Sequence, residues 1–399
     1  MPSSRSSSIP VPLRLVETPE SEGPRVTTPT AVFAIGDRAD AIRLGPVFGA
    51  TQRLGAFIPV VVLTGRSQDQ RVVCDLGEEL GLGTAAHALT IDGLSDAEVT
   101  AQTLTSFDRL LGQITPEVIV LTGDSDTTLA CALAAAKQKV AVAHVDSGLR
   151  SWDWSTPAEI NRVVIDRLSD TLFTHSHNAA ENLTAEGVPP GRIEAVGSTV
   201  LDALSRIEPR ARKRNVWEHH HLGRHEYVLV VITGGGERLQ DPAQCDVLAE
   251  ALGTIAATAP VAYCAGLAAR AAGLDDAIAQ MAHPNIHTVP PLGYADFISL
   301  QLGAGALVTD AATVQDEAAG LGVPCYSLGA LSERPITLTH GTNVLLGDDD
   351  AAIAEVRPTS NERLTCAIPL WDGHAADRIA DTLLANYAVQ ASWASLSAP

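Results

Sequence analysis

The stretch His144-Val145-Asp146-Ser147-Gly148-Leu149-Arg150 carries the strongest structural signal in this sequence. It starts inside a short apolar run, Val140–Val145, which predicts a strand buried on both faces, and a carboxylate follows directly. Ligands of open α/β sheets bind beyond the carboxyl ends of the strands, so Asp146 is a candidate site residue. Downstream, Thr156-Pro157-Ala158-Glu159 predicts a helix start, with Thr156 and Glu159 as a capping box and Pro157 in the first turn.

Similar short apolar runs alternate with helix-length segments along the rest of the chain, which is typical of βαβ units and parallel sheets. The other runs are Ala31–Ile35, Pro59–Leu63, Val118–Leu121, Thr171–Thr174, Ile193–Val196, Tyr227–Ile232, Val261–Ala265, Ile286–Val289, Ala306–Thr309 and Pro324–Leu328. We therefore predict two doubly wound α/β domains, at residues 31–205 and 226–370.

The segments outside these domains have different compositions. Residues 1–30 are rich in Ser, Pro and Arg and predict a disordered leader. A linker is expected at Arg206–His225, where basic residues cluster and the apolar periodicity lapses. Residues 371–390 predict a C-terminal amphipathic helix with Asp372 as its N-cap.

The composition limits the class of protein and its partners. With 399 residues, 46% of them hydrophobic and 19% charged, the chain is globular, and no apolar run is long enough to cross a bilayer. The formal net charge of −20 argues against a nucleic-acid or anionic-membrane partner. Six scattered cysteines without C-x-x-C spacing, and a leader without an apolar block, favour free thiols in the cytoplasm. The adjacent histidines His219–His221 would point in different directions on a loop, so no metal site is expected.

The quoted motifs resemble those of the non-hydrolysing UDP-N-acetylglucosamine 2-epimerases, which have H-V-E-A-G-L-R followed by P-E-E-x-N-R. Here Asp146 replaces the first glutamate and Ala158 replaces the first of the paired glutamates. The resemblance extends from Ala31 to Tyr387. It implies two Rossmann-like domains that face a central cleft, as in GT-B enzymes, with the last helix returning to the first domain. It also implies a homodimer that acts on a UDP-sugar without a cofactor.

Three residues of the first domain are predicted to be catalytic. Gly36–Pro46 is similar to the family's G-T-R-P-E-x-I-K-x-x-P, and Arg38 corresponds to its arginine, where a guanidinium can complement a diphosphate. Asp124 corresponds to the aspartate of V-x-G-D-T, and could also serve as a helix N-cap. Asp146 stands where the family has its longer glutamate. By the same resemblance, Arg150, Asn161 and Arg162 contact the substrate.

The second domain supplies the remaining substrate-binding candidates. The family's T-D-S-G-G-x-Q-E-E-A, whose amides close around the diphosphate, corresponds here to Asp310, Ala311, Ala312 and Thr313, and Glu317 matches the acid that binds the ribose. Arg334 lies in an element similar to x-E-R-P. The family's T-G-H-R-R-E has become Thr233–Arg238, and the turn Gly234, Gly235, Gly236 is predicted to bind phosphate through backbone amides.

These observations predict epimerisation at C2 of a UDP-amino sugar, through elimination and re-addition of UDP. One alternative is a catalytically impaired sugar-nucleotide-binding homologue or partner subunit, which the changes at Ala158, Gly235 and Ala311 motivate. Another is a GT-B glycosyltransferase, against which the epimerase-like order of the motifs counts. The fold alone does not choose among them.

Overall fold

The computed structural model describes residues 28–92, 95–234, 237–329, 331–347, 349–359, 363–364 and 366–388. The predicted leader, residues 1–30, lies outside these ranges except for its last three residues. Two parallel sheets form the framework. We call the part built on the sheet nearer the N-terminus the first lobe, and the part built on the other sheet the second lobe.

The first lobe contains a seven-stranded sheet in the order β3-β2-β1-β4-β5-β6-β7. Its strands are β1 (Thr30–Ile35), β2 (Ile58–Leu63), β3 (His87–Ala88), β4 (Val118–Thr122), β5 (Ala141–Val145), β6 (Thr171–Thr174) and β7 (Ile193–Ala195). The second lobe has six strands in the order β10-β9-β8-β11-β12-β13. They are β8 (Val228–Ile232), β9 (Val261–Ala265), β10 (Ile286–Thr288), β11 (Ala306–Thr309), β12 (Cys325–Leu328) and β13 (Asn343–Gly347).

Helices cover both faces of the two sheets. They are α1 (Arg38–Leu54), α2 (Ser67–Leu80), α3 (Asp96–Ile114), α4 (Asp126–Gln138), α5 (Pro157–Leu168), α6 (His177–Ala185), α7 (Thr199–Ala211), α8 (Val216–His219), α9 (Pro242–Ala256), α10 (Leu267–Ala271), α11 (Leu274–Met281), α12 (Tyr294–Gly303), α13 (Ala312–Leu321), α14 (Pro335–Thr339), α15 (Asp350–Ala354) and α16 (Ala375–Leu383). Within the described ranges, no helix is both long and apolar enough to cross a membrane.

This architecture confirms the predicted α/β class with two parallel, doubly wound sheets. Every strand predicted from an apolar run is present, and β3 and β13 are additional. Both sheets have the strand order of a dinucleotide-binding fold, so each has a point where the order reverses, at β1/β4 and at β8/β11. Adjacent strands diverge in their connections there, which leaves a crevice at their carboxyl ends.

The segment predicted as a linker is partly helical. Residues 206–211 form the end of α7, and α8 follows within the same range. Ile207 and Trp217 are buried in an apolar cluster that runs from β1 through α7 to α12. The basic side chains hid this apolar face, so the expected lapse of periodicity is wrong. The domain limits themselves stay a prediction.

The last helix receives its cap from another helix. Asp202 on α7 accepts hydrogen bonds from the amides of Ala375 and Ala376 at 3.2 and 2.9 Å, whereas Asp372 accepts from the His374 amide and from the Arg378 guanidinium. The prediction of Asp372 as N-cap is therefore wrong. Helix α16 then packs on α1, and a π-helical turn follows in which the Tyr387 hydroxyl lies 2.6 Å from Thr171 Oγ1 in β6.

Removal of the Asp202 carboxylate should therefore destabilise the protein. We expect Asp202→Ala to cost about 1 kcal/mol in the free energy of unfolding, the typical effect of losing a helix cap. Urea denaturation measures this loss. The control is Asp381→Ala, an exposed change on α16 itself, which should stay within roughly 0.5 kcal/mol of the parent. Equal losses in the two variants would contradict the capping role.

Candidate active site between the lobes

A cavity of about 310 Å³ opens at the carboxyl ends of the central strands. Its wall combines residues that follow β1, β4 and β5 of the first lobe with residues that follow β11 and β12 of the second. The lining residues are Asp37, Ala39, Asp40, Arg43, Gly123, Asp124, Ser125, His144, Asp146, Gly148, Leu149, Ala158, Arg162, Asp166, Asp310, Ala312, Glu333 and Arg334. The cavity therefore lies where both strand orders reverse, and its size is at the lower end of ligand pockets.

Arg334 joins the two lobes at the floor of this cavity. Its Nη2 donates to Asp146 Oδ2 of the first lobe at 3.0 Å, and its Nη1 donates to Asp316 Oδ2 of the second at 2.8 Å. Arg43 Nε of α1 lies 3.1 Å from the same Asp146 oxygen. The Arg334 side chain is 0% exposed. Two carboxylates from different lobes are thus held by one buried guanidinium.

Asp146 is a fixed anion in this arrangement. Burial alone would raise its pKa, but the charges of Arg334 and Arg43 outweigh burial and lower the pKa of Asp146 to about 2. Its φ of 62° lies in the left-handed region, which aspartate tolerates better than most residues. A salt-bridged carboxylate with so low a pKa is a weak base near neutral pH. The position therefore suits charge positioning better than the predicted acid–base role.

Arg162 makes a second connection between the lobes at the cavity wall. Its Nε donates to Asp124 Oδ2 at 2.7 Å, its Nη1 donates to Glu159 Oε2 at 2.9 Å, and its Nη2 donates to Glu333 of the second lobe. The side chain of Asp124 is 35% exposed, so a ligand in the cavity can reach it. Ser125 supplies the N-cap of α4, which leaves the Asp124 carboxylate free for Arg162.

Asn161 and Glu159 shape the loops around this wall. Asn161 Nδ2 donates to the Asp124 carbonyl and to Asp126 Oδ1 at 2.9 and 3.0 Å. Thr156 caps α5 as predicted, with Pro157 in the first turn. The Glu159 carboxylate, however, accepts from the amides of residues 151 and 152 rather than from Thr156, so the reciprocal half of the capping box is wrong. This buried carboxylate holds the loop after β5, and the neighbouring Ala158 lines the cavity without an acid.

A histidine and an aspartate of the cavity lining pair with each other. His144 Nδ1 lies 2.7 Å from Asp166 Oδ1, and its Nε2 lies 3.2 Å from the Gly123 carbonyl oxygen. Arg150 pairs with Asp166 Oδ2 and forms a bidentate pair with Glu186 at 2.7 and 2.8 Å. Arg150 therefore holds α6 against the loop after β5. It is absent from the described cavity lining, contrary to the predicted substrate contact.

Arg38 lies against the second lobe rather than in the cavity. Its Nη1 donates to the Leu292 carbonyl at 3.2 Å, and its guanidinium lies 5.3 Å from the ring centroid of Phe297 and 6.0 Å from that of Tyr294. Arg38 was predicted to be catalytic, but α1 turns its side chain toward α12 and it is absent from the described cavity lining. The same helix directs Asp40 and Arg43 into the cavity, and the sequence analysis did not select either residue.

Asp310 controls the loop that was predicted to bind phosphate. Its Oδ1 accepts from the Thr233 amide and hydroxyl at 2.7 and 3.0 Å, and its Oδ2 accepts from the Gly234 amide at 2.8 Å. The Gly234 amide, which was predicted to contact the diphosphate, donates to Asp310 in this structure. Gly235 and Gly236 lie outside the described residues. The Asp310 carboxylate therefore holds the backbone of the turn that follows β8.

The beginning of α13 is the remaining anion-binding element of the second lobe. Ala311 is the N-cap and has no side-chain cap hydrogen bond, while its own amide donates to Thr309 Oγ1 at 2.9 Å. Ala312 lines the cavity, and Thr313 is buried beside it. The unpaired amides of a helix's first turn favour a phosphate or carboxylate. The predicted position of the diphosphate at this helix is thus compatible with the geometry.

Glu317 lies deeper in the second lobe, on α13. Gln301 donates to its Oε2, and Oε1 is buried without a hydrogen-bond partner among the described residues. Burial raises the pKa of Glu317 to about 7, although Gln301 and Arg38 oppose this rise. The Tyr294 hydroxyl lies beside the same carboxyl group, and Glu317 is absent from the described cavity lining, so the ribose contact stays a prediction.

His175 is a further residue that sequence reasoning missed. It follows β6, and both ring nitrogens are buried without a hydrogen-bond partner in the described part of the chain. Burial, Arg334 and Arg43 lower the pKa of His175 to about 3. Its place immediately after a strand is the signal that could have found it. The His175 ring is therefore a neutral group near the Arg334 and Arg43 guanidinium groups.

The chain matches the family model described as UDP-N-acetylglucosamine 2-epimerase over residues 50–384. This protein belongs to the UDP-N-acetylglucosamine 2-epimerase family. It is 30% identical over 355 residues to the UDP-N-acetylglucosamine 2-epimerase of Methanocaldococcus jannaschii, an alignment that covers 86% of this chain and 96% of that protein. It is 29% identical over 354 residues to the UDP-2,3-diacetamido-2,3-dideoxy-D-glucuronate 2-epimerase of Pseudomonas aeruginosa, with coverage of 88% and 98%.

A crystal structure supports the same family relationship. The Methanocaldococcus jannaschii enzyme, solved in complex with UDP-N-acetylglucosamine and UDP, superposes with a TM-score of 0.81 at 27% identity and covers 90% of this chain and 100% of that chain. The resemblance drawn from the motifs and the predicted two-lobed GT-B-like fold are thereby confirmed. Within the described residues, no cluster of three His, Cys, Asp or Glu side chains is placed to hold a metal ion.

The raised pKa of Glu317 predicts how stability depends on pH. An ionised Glu317 is disfavoured in the folded protein, so this group weakens folding as pH rises from about 4.5, its ordinary value, to about 7. We expect Glu317→Gln to match the parent near pH 4.5 and to be more stable by roughly 3 kcal/mol at pH 8. Urea unfolding at several pH values measures the difference.

The exposed Glu250 of α9 provides a control for this pH series. Glu250→Gln should differ from the parent by the same small amount at every pH. A stability difference for Glu317→Gln that does not change with pH would contradict the raised pKa.

Proposed function

We propose that this protein epimerises a UDP-amino sugar at C2. The observation that carries the proposal is the reachable carboxylate of Asp124 in a cavity formed by both lobes, whose lining also includes Ala312 in the first turn of α13. Family membership supplies the class of reaction. The named relatives act on UDP-N-acetylglucosamine or on a diacetamido uronic acid derivative. We propose that the substrate of this protein is a UDP-sugar of the same class.

The chemistry requires a base, a proton donor and a site for the leaving group. The base removes the proton from C2 while the bond from C1 to the UDP oxygen breaks, which leaves a glycal and UDP. UDP then returns to C1, and a proton reaches C2 from the other face. Asp124 is the reachable one of the two predicted acid–base residues, because the Asp146 side chain is 2% exposed and paired with two arginines.

The other residues have supporting roles in this proposal. Arg162 holds the Asp124 carboxylate, and Asp146 holds Arg43 and Arg334 at the floor of the cavity. The first-turn amides of α13 bind the diphosphate, and Glu317 binds the ribose. No step needs a nicotinamide or a metal, since UDP leaves and returns without a change of oxidation state.

The doubly paired Asp146 and the missing acid at Ala158 also favour a second candidate function. A homologue that binds the UDP-sugar without converting it would keep the α13 site and lose proton transfer. The same experiment distinguishes the two functions, because only the epimerase exchanges the hydrogen at C2.

The assembly and cellular location also remain proposals. We infer a homodimer from the family resemblance and a cytoplasmic location from the cysteines. All six cysteines are free thiols, and three of them are buried, which suits a reducing compartment.

Incubation with UDP-N-acetylglucosamine in deuterated water tests the proposal. We expect deuterium at C2 and formation of UDP-N-acetylmannosamine, both detected by nuclear magnetic resonance. Asp124→Asn should slow the interconversion by roughly a hundredfold or more, the usual contribution of a general base, while UDP affinity measured by calorimetry changes little. The exposed change Asp246→Asn on α9 should leave both unchanged. UDP binding without deuterium incorporation in the parent protein would favour the binding-only function.

A further inference from the structure

Several carboxyl groups in the cavity are neutralised by arginine. Asp124 and Glu333 both pair with Arg162, and Asp146 pairs with Arg334 as well as with Arg43. An arginine partner stabilises the ionised form of a carboxylate, so these acids are placed to begin the reaction as bases rather than as proton donors. A proton donor must therefore be found among the other acids of the wall.

Three further acids are occupied by hydrogen bonds. Asp166 accepts from the Gly148 amide and contacts His144 and Arg150. Asp310 has donors on both of its oxygens. Asp37 caps α1, where its Oδ1 accepts from the amide three residues later. These carboxylates hold the walls of the cavity in place.

Asp40 is buried, unlike the exposed Asp37, and it has fewer partners than Asp166 and Asp310. Its Oδ2 accepts one hydrogen bond, from the Gly36 amide at 2.9 Å. Within the described residues, its carboxyl makes no ion pair, and Oδ1 has no hydrogen-bond donor. This Oδ1 lies over Gly123, where an added Cβ would stand only 3.0 Å away. Gly123 also has a φ of 77°, so a glycine is needed there both for the backbone and for the approach of the carboxyl group.

The surroundings favour the protonated form of Asp40. Burial and the neighbouring Asp37 carboxylate raise the pKa of Asp40 well above its usual value, and Arg43 on the same helix only partly opposes them. From the elements packed against α1, Asp124 after β4 adds a further negative charge, and the Cys131 thiol of α4 faces the group as a neutral neighbour, its pKa raised by burial. The unoccupied Oδ1 is the atom that can carry the proton.

We propose that Asp40 is the second proton-transfer group of the epimerase, acting on the face of C2 opposite to Asp124. This inference rests on the proposed function. Asp40 stands where the family motif G-T-R-P-E has its glutamate, whereas Ala158 carries no acid. Asp40 and Asp124 reach the cavity from different elements, α1 and the loop after β4.

Protons balance over one conversion. The Asp124 carboxylate takes the C2 proton and becomes a carboxylic acid, while the bonding electrons of C2–H form the glycal double bond and UDP leaves C1 as the anion. Asp40 then donates its proton to C2 on the opposite face as a UDP oxygen attacks C1. Asp40 ends ionised and Asp124 ends protonated, and exchange with water restores the starting state. The reverse reaction uses the same two groups in exchanged roles.

Separating hydrogen exchange from inversion tests this assignment. The isosteric Asp40→Asn keeps an oxygen for the Gly36 amide and removes the proton donor. We expect inversion to fall by roughly a hundredfold or more in both directions, as for loss of a general acid. From one of the two epimers, UDP-N-acetylglucosamine or UDP-N-acetylmannosamine, deuterium should still enter C2 with retention. From the other epimer, deuterium exchange should be lost. In Asp124→Asn the pattern should be reversed: the epimer that loses exchange in Asp40→Asn should keep it, and the epimer that keeps exchange there should lose it.

The pH dependence gives a second readout. For the epimer that Asp124 deprotonates, inversion by the parent should decline as pH rises through the pKa of Asp40, because the donor must be protonated. For the other epimer, inversion should rise over the same pH range. In Asp40→Asn, both the decline and the rise of the inversion rate over this pH range should be absent. Asp69→Asn on α2 is the matched control, since burial also raises the pKa of Asp69, which lies outside the described cavity lining; its profile should follow the parent.

Calorimetric UDP binding verifies that Asp40→Asn is folded. Parent-like inversion by Asp40→Asn, or equal loss of exchange from both epimers with UDP binding intact, would overturn the assignment of Asp40 alone. An absence of exchange from either epimer in the parent protein would instead overturn the proposed function, and the role of Asp40 with it. Exchange from a single epimer in each variant supports both.

Discussion

The site depends on one buried cation, Arg334, shared between carboxylates of two lobes. Bringing its guanidinium, Asp146 and Asp316 out of water carries a desolvation cost of several kcal/mol per ion, which only close pairing offsets. Separating the lobes would leave these charges without their partners. Asp316 is fixed in addition by the Ser198 hydroxyl of the first lobe at 3.0 Å. The ion cluster therefore favours the arrangement in which both strand-order reversals face the same cavity.

This constraint explains how the departures from the family motifs fit together. The shorter Asp146 adopts a left-handed backbone and reaches Arg334 and Arg43. Its negative charge is thereby committed to holding the arginines, while Asp124 stays reachable at the wall. Ala158 contributes no acid, and Asp40 stands one helical turn before Arg43 on the same side of α1. The fold and the order of the motifs are those of the family, and in our proposal the two proton-transfer groups are Asp124 and Asp40.

Much of the fold could be predicted because buried parallel strands are written as apolar runs. Two edge strands were missed: β3 has only two residues, and β13 is mostly half-buried or exposed, so the apolar signal of both is weak. Caps were less predictable, since α16 is capped by Asp202, more than a hundred residues away in the sequence. Local sequence could not show that.

The sequence predicted which residues follow the strands at the site, but it predicted much less well where their side chains point. Asp124, Asp146, Arg162 and Arg334 meet at the cavity, as the motif order indicated. Arg38 and Arg150 follow strands in the same way, but their side chains turn toward α12 and α6, and the Gly234 amide is occupied by Asp310. Asp40 and Arg43 were missed because their importance comes from the helical spacing that places both on the cavity side of α1.

A double-mutant cycle between Asp146 and Arg334 tests the central claim most directly. The free energies of unfolding of Asp146→Asn, Arg334→Gln and the double variant would be measured by urea denaturation and compared with the parent. A shared ion pair between the lobes predicts that the double variant loses less than the sum of the single losses, with a coupling of about 1–3 kcal/mol. Additive losses, with no coupling beyond measurement error, would show that Arg334 does not hold the lobes together through Asp146.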